Sequence, residues 1–170
     1  MSENTNVKGA KPYLKIIWVV LFLIIAIALF IWSPWKSGLY YKYAISKEMP
    51  INTNPVGEEA NLNKAAELYN SGDYSDARKI MQKEYMSNPQ NPLLSYYFSI
   101  TLIENSQEHE ARTVLFKLYE GESAFKFDAA YYIALSYLKQ DNKTEAKNWL
   151  SKIPVGTANY GKAQELLKKL

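Results

Sequence analysis

The sequence predicts an all-α fold with two parts, an N-terminal transmembrane helix and a domain of paired helices. Three observations predict this fold. Residues 16–32 form an unbroken apolar run. From residue 54 onward every segment has helical periodicity, without sustained strand-like alternation. An alanine also recurs within similar patterns at Ala77, Ala111 and Ala146. The two parts have different compositions, so the averages over the whole chain describe neither part.

The apolar run from Ile16 to Trp32 contains no charged or amide side chain. At about 1.5 Å per residue it spans roughly 26 Å, and extending it to Pro34 brings it close to a hydrocarbon core of about 30 Å. Lys15 and Lys36 stand at its two ends, where their long side chains reach toward water. We therefore predict a transmembrane helix over residues 16–34, with a buried core helix as the alternative.

The flanks of this run bear on cleavage and orientation. A secretory signal peptide has an apolar stretch of about 7–15 residues and a small-residue cleavage site. Here the run is longer, and residues 30–35 at its C-terminal end are mostly bulky instead of small. We therefore expect an uncleaved anchor, with a secreted protein as the alternative.

Lys8, Lys11 and Lys15 outnumber Glu3 before the run. The positive-inside rule then predicts a cytoplasmic tail at 1–15 and a C-terminal domain across the membrane, which is periplasmic for a bacterial inner membrane.

Residues 35–57 are predicted to be a juxtamembrane linker, because Pro50, Pro55 and Gly57 interrupt any long helix. Leu39, Tyr40, Tyr41 and Tyr43 precede these breaks. Two interpretations of these four residues stay open. They form an interfacial turn or short helix at the membrane surface, or they continue the membrane helix and later pack on the domain.

Three similar units follow the linker, over about residues 58–91, 92–126 and 127–154. Each has a small residue in its first half and an alanine in its second half. The small residues are Ala65, Ser99 and Ala134, and the alanines are Ala77, Ala111 and Ala146. Small side chains allow antiparallel helices to approach closely. A last amphipathic segment, 157–170, is predicted to be a helix that caps the open end of the array. The alternative is that its apolar face docks on another chain.

This pattern resembles the tetratricopeptide repeat (TPR) family, whose 34-residue motif reads W-x2-L-G-x2-Y…A-x3-F…P. Gly72-Asp73-Tyr74 fits its intra-pair turn and Pro89 its closing proline. The sequence departs from the motif at the Trp position, which holds Asn61, Ser95 and Ala130, and at Lys64. The resemblance implies a helix-pair solenoid of about three repeats.

In this family the first helix of each pair lines a concave groove that accepts peptides or partner helices. Carried over by position, the resemblance implies the following candidate groove residues: Tyr69, Asn70, Tyr96, Ile100, Ile103, Glu104, Tyr131, Leu135, Leu138 and Lys139. The alternative is that this aromatic and aliphatic stripe is core, or is covered by the chain's own terminal helix. The family's chaperone-tail clamp is not expected, because Leu62, Ala66, Tyr97 and Tyr132 occupy its positions.

Composition narrows the function further. The chain has no cysteine, which excludes thiol catalysis and Cys-zinc sites, and one histidine, which excludes a His-based metal cluster. No nucleophile–base arrangement or phosphate-binding glycine loop stands out, so we expect no enzyme, no cofactor, no metal and no small-molecule substrate. The net charge after residue 35 is near +1, from 17 Lys/Arg and 16 Asp/Glu, which leaves no electrostatic basis for nucleic-acid binding.

The expected function is that of a membrane-anchored TPR scaffold or adaptor. It would contact the lipid bilayer through residues 16–34 and bind a protein or peptide partner through its repeat surface, in envelope assembly or in a membrane complex. Two alternatives remain: a signal-relay subunit of a membrane complex, and a secreted TPR protein.

Overall fold

The computed structural model describes residues 12–31, 38–44, 47–53 and 57–170, without the side chains of residues 12–15, 26–31 and 58. The predicted tail up to residue 11, residues 32–34 of the predicted membrane span, and Pro55 of the predicted linker lie outside this description. The chain divides into two compact units, Met1–Ser37 and Gly38–Leu170.

The described residues form α-helices and no strand, which confirms the all-α class. The helices are α1 (Pro12–Ile31), α2 (Leu39–Tyr43), α3 (Glu58–Asn70), α4 (Tyr74–Ser87), α5 (Pro92–Glu104), α6 (Glu108–Glu120), α7 (Lys126–Lys139), α8 (Lys143–Leu150) and α9 (Tyr160–Leu167).

The first unit contains α1. Its described side chains, Ile16 to Ile25, are all apolar, and each is 46–72% exposed. In the part of the chain that the structure describes, no helix is both long enough and apolar enough to cross a membrane.

In the second unit, α3 to α8 form three consecutive antiparallel pairs, each packed against the next. The turn inside each pair has the same geometry. Gly72, Ser106 and Asp141 have φ angles of 83°, 61° and 58°, in the left-handed region. In each turn the amide that follows this residue donates to the carbonyl five residues back, at 2.8–2.9 Å. This is a Schellman motif, which satisfies the carbonyl groups at the end of the first helix.

The second helix of the first and third pairs, and the first helix of the second pair, begin at a side-chain cap. Asp73, Asn91 and Asn142 each accept a hydrogen bond from a backbone amide three residues later, at 3.1–3.2 Å. Pro92 follows Asn91 as the first residue of α5, where its missing N–H costs nothing. The turn predicted at Gly72-Asp73-Tyr74 is confirmed, and Asn91 with Pro92 marks the start of the second pair.

The recurring small residues lie in the packed interior of the domain. Ala77, Ala111 and Ala146 are completely buried, and so are Ala65, Ser99 and Ala134. At the C-terminal end α9 packs against α8 and buries Ala163 and Leu166. The C-terminal helix is therefore shorter than the predicted 157–170, since α9 spans Tyr160–Leu167.

Residues 38–44 and 47–53, which the sequence assigns to a linker, lie in the second unit, and we call them the strap. Helix α2 packs against α7 and α9. Tyr40 and Tyr43 are 3% and 5% exposed, whereas Tyr41 is 40% exposed. Leu39–Tyr43 is thus a short helix, and its two buried tyrosines pack on the domain. Contact of this helix with a membrane surface stays a prediction.

Candidate functional site

The candidate site is the surface formed by α3, α5 and α7, the first helices of the three pairs, which we call the inner face. The structure brings the ten sequence-predicted groove residues onto these helices. Seven of them are buried: Tyr69, Tyr96, Ile100, Ile103, Tyr131, Leu135 and Leu138. Asn70 is exposed, and Glu104 and Lys139 are half-buried. The inner face is therefore an apolar floor with a few polar groups at its margin.

The strap covers this inner face from the third pair to the first. Its N-terminal end is held by Tyr40, whose hydroxyl donates to Glu104 Oε1 at 2.6 Å. Lys139 Nζ lies 5.2 Å from the centre of the same ring and 3.4 Å from Glu108 Oε1. Lys139 Nζ also donates to the carbonyl of Ile103. Tyr40 thus contacts a carboxylate through its hydroxyl and an ammonium group through its ring, and both charged residues are half-buried.

Tyr43 provides the second attachment. Its hydroxyl donates to Glu165 Oε1 at 2.6 Å, and its backbone carbonyl accepts a hydrogen bond from the Tyr131 hydroxyl at 3.1 Å. Glu165 belongs to α9 and Tyr131 to α7. One residue of the strap therefore connects the last helix to the third pair.

The strap continues as extended chain over the first pair. The Tyr97 hydroxyl donates to the Glu48 carbonyl at 2.7 Å. The next residue, Met49, donates its amide to Asn70 Oδ1 at 2.8 Å, and its carbonyl accepts from Asn70 Nδ2 at 3.0 Å. One carboxamide on α3 thus binds both backbone groups of Met49, whose side chain is 3% exposed.

The same arrangement recurs three residues later in the strap and two helical turns earlier on α3. The Asn52 amide donates to Asn63 Oδ1 at 2.9 Å, and Asn63 Nδ2 donates to the Asn52 carbonyl at 2.6 Å. Asn52 Nδ2 also donates to Glu59 Oε2 at 2.8 Å. Because Asn63 and Asn70 are seven residues apart, their side chains lie on the same side of α3. The strap runs antiparallel to this helix.

Burial changes the acidity of the groups on the inner face. Desolvation raises the pKa of Tyr40, and the Glu104 carboxylate, which accepts a hydrogen bond from the Tyr40 hydroxyl, raises it further. Desolvation and the hydrogen bond to Glu165 raise the pKa of Tyr43 to about 12. The pKa of Asp128 is also raised, by burial, although the nearby positive charge of Lys47 opposes this effect. The tyrosines therefore remain neutral hydrogen-bond donors at neutral pH.

Two cavities lie on the opposite surface, formed by α4 and α6. The larger, of about 630 Å³, lies between Pro89, Leu118 and Gly121. The smaller, of about 350 Å³, lies between Met86, Phe98 and His109. Tyr85, Val114 and Lys117 line both of them. His109 is exposed there.

Sequence reasoning missed the strap residues as occupants of the inner face, and it missed Asn63, Tyr97 and Glu165 as residues that bind them. Two signals were present. Tyr40 and Tyr43 are three residues apart, which places both rings on one side of a helical turn. Asn63 and Asn70 place two carboxamides on one side of α3. Neither signal identifies the segment with which these side chains pair.

No protein-family model, no curated protein and no solved structure matches this chain. The TPR assignment therefore stays a prediction from the sequence.

Proposed function

We propose that this protein is a single-pass membrane-anchored scaffold of the TPR type, whose helix-pair domain binds a segment of a partner protein through its inner face. The observation that carries the proposal is the strap itself. The inner face holds a protein segment by hydrogen bonds from side chains to backbone and by burial of apolar side chains. A surface with these contacts has the chemistry needed to recognise a protein segment.

The anchor is supported by the sequence run from Ile16 to Trp32, together with the exposure of every described side chain of α1. Ten consecutive exposed apolar residues are costly in water, because burial of apolar surface stabilises by about 25 cal/mol per Å². Insertion into a bilayer removes that cost. By the positive-inside rule, the domain would lie on the periplasmic side of a bacterial inner membrane.

The anchor gives the scaffold its mechanism. Confinement to a membrane raises the effective concentration of the domain for partners at the same membrane, without any additional contact. Such tethering suits envelope assembly or the maintenance of a membrane complex. It needs no cofactor, metal or small-molecule substrate.

Signal relay is a second candidate, and the position of the strap favours it. The strap follows the predicted anchor in the sequence and occupies the surface proposed to bind the partner. A partner that displaced it would change the segment joining the domain to the anchor. Tethering requires no such change. Crosslinking of the anchors in the presence and absence of the partner therefore separates the two functions.

Membrane attachment and topology are tested with single cysteines, since the chain has none of its own. Ser2→Cys reports on the tail. Val155→Cys reports on the domain, because Val155 is 77% exposed and in no helix. In intact cells, an impermeant maleimide should label the Val155→Cys chain alone. Labelling of the Ser2→Cys chain alone reverses the topology, and recovery of the chain in the soluble fraction contradicts the anchor.

Partner binding is tested by a photo-crosslinking amino acid placed at Glu59, on α3 beside the strap, or at Met86, on the opposite surface. Both side chains are exposed. We expect a discrete adduct from position 59 and none from position 86. An adduct from position 86 alone would assign partner binding to the α4–α6 surface, and the absence of both adducts would contradict the scaffold.

A further inference from the structure

The strap is bound at α3 through its backbone rather than through most of its side chains. Asn70 and Asn63 each bind the amide and the carbonyl of one strap residue. Tyr97 binds a third backbone group, the Glu48 carbonyl. Any residue with an extended backbone and a free N–H satisfies these contacts, so this part of the recognition does not depend on the strap's own sequence.

One strap side chain adds selectivity. Of residues 47–53, Met49 is the one that is buried. Pro50 follows it and favours an extended conformation at Met49, without removing a donor that α3 uses. The site therefore selects an extended segment with one large apolar side chain. One carboxamide binds the backbone of that residue, and a second carboxamide binds the backbone of the residue three positions later.

This end of the strap is able to open without unfolding the helix pairs. Asn70 is exposed and the Asn52–Asn63 contacts lie at the surface, so water replaces these hydrogen bonds when they break. Segments held by few buried contacts open locally at a much lower free energy than the whole domain.

We propose that the surface formed by Asn63 and Asn70 of α3 and Tyr97 of α5 is a binding site for an extended segment of a partner protein, and that residues 47–53 occupy it as an intramolecular ligand that the partner displaces. This inference rests on the proposed scaffold function and specifies its ligand. The ligand is an extended chain with a large apolar residue at the Met49 position. Partner binding and release of the strap are then a single competition for one site.

The test uses the full chain in detergent with Met49→Cys, a thiol that a maleimide reaches only when the strap opens. The probe is a capped peptide of the strap's own sequence, Lys-Glu-Met-Pro-Ile-Asn-Thr. The peptide binds the vacated site and holds the strap open, so the labelling rate should rise in proportion to peptide concentration above its dissociation constant. A labelling rate that does not change up to millimolar peptide overturns the proposal.

Three controls show whether the backbone contacts are responsible. Asn70→Ala, combined with Met49→Cys, removes two hydrogen bonds and should raise the labelling rate about tenfold without peptide. Asn61→Ala makes the same change on α3 at a residue that bonds to Glu84 instead, and should leave the rate unchanged. A peptide N-methylated at its methionine keeps the side chain but loses the amide donor, and should not accelerate labelling.

A second measurement makes the result independent of labelling kinetics. In the full-length Met49→Asp variant the strap loses its buried anchor while the α3 surface stays intact. The fluorescent peptide should bind this variant at least tenfold more tightly than it binds the wild type, provided that circular dichroism shows unchanged helicity. Equal binding to the two proteins overturns the competition. So does a concentration-dependent dimer of the wild type that the peptide dissociates, because that result assigns the site to the strap of a second copy.

Failure of this inference and failure of the scaffold are distinguishable. If the peptide has no effect but position 59 or 86 still yields an adduct in cells, the scaffold stands and the partner does not compete with the strap.

Discussion

The two halves of the strap are attached to the same domain by opposite means. The N-terminal half, α2, is held by the buried rings of Tyr40 and Tyr43, whose hydroxyls bond to Glu104 and Glu165. The C-terminal half, residues 47–53, is held mainly through its backbone, by carboxamides at the surface of α3.

This difference determines which half of the strap stabilises the domain and which half another chain can replace. Burial of large aromatic side chains contributes several kcal/mol and is lost only when the interior opens. Exposed hydrogen bonds each contribute about 0.5–1.5 kcal/mol and are replaced readily by water. The α2 half therefore belongs to the core, whereas the extended half is the part that another chain can replace.

The largest effect is expected from alkali, which acts on the α2 half. The pKa of Tyr43 is raised from 10.0 to about 12, and burial moves the pKa values of Tyr40 and Tyr131 in the same direction. Because the folded-state pKa exceeds the unfolded one, the stabilisation from the neutral hydroxyl is complete below pH 10 and is lost as the pH rises through 12. We expect α2 to detach over this range, as measured by tyrosinate absorbance and near-ultraviolet circular dichroism.

The Asn63 and Asn70 carboxamides do not ionise. Alkali therefore weakens the extended half only through the Tyr97 hydroxyl or as a consequence of the detachment of α2. Tyr43→Phe should remove one ionisation step from the absorbance titration. A native near-ultraviolet spectrum that persists at pH 12 would contradict the role assigned to the buried hydroxyls.

The second effect is the loss of the Tyr40 ring. Tyr40→Ala removes a side chain that is 3% exposed and should lower the free energy of unfolding by about 3–5 kcal/mol, as for other large buried aromatic residues. Urea unfolding of the full chain in detergent measures it. Tyr41→Ala is the matched control, because this neighbouring tyrosine is 40% exposed, and should cost less than about 1 kcal/mol. Equal losses of unfolding free energy in the two variants would show that α2 is not part of the core.

A smaller effect is expected from the Tyr40 hydroxyl alone. Tyr40→Phe keeps the ring and leaves Glu104 without its donor, so it should cost about 1.5 kcal/mol, typical of a hydrogen bond to a charged group. In a Glu104→Leu background the same substitution should cost close to nothing. A double-mutant cycle in urea tests this coupling, and independent, additive costs would show that the bond contributes nothing.

The smallest effect on global stability is expected at the extended half. Asn63→Ala should cost less than about 1 kcal/mol, because its contacts with Asn52 lie at the surface. The local effect should be larger, with faster hydrogen exchange at the Asn52 amide and unchanged exchange in α5 and α7. If exchange rises equally along the strap and the helices, the two halves do not open separately.

The helix pairs could be predicted from sequence because their determinants are local and periodic. Completely buried alanines recur at 77, 111 and 146, and the caps at Asp73 and Asn91 act within three residues. Each signal lies inside the element that it specifies, so a window of one repeat is enough to detect it.

The strap could not be predicted because its partners are distant in the chain. The Tyr40–Glu104 bond spans 64 residues and the Tyr43–Glu165 bond spans 122. Residues 47–53 contain a proline and form no helix, so they present no periodicity to read. The residues of the inner face were predicted as a set, but its occupation by the strap depends on tertiary pairing. Its partner remains a proposal.

The repeated turn at Gly72, Ser106 and Asp141 has a consequence for the size of the molecule. Because each pair closes in the same way, the array itself sets no limit on its length, and copying one unit would extend it. The strap does set a limit, since it is a chain of fixed length attached to the first pair at one end and to α7 and α9 at the other. The six residue steps from Tyr43 to Met49 span at most about 22 Å even when fully extended. A longer array would therefore need a longer strap to keep both attachments.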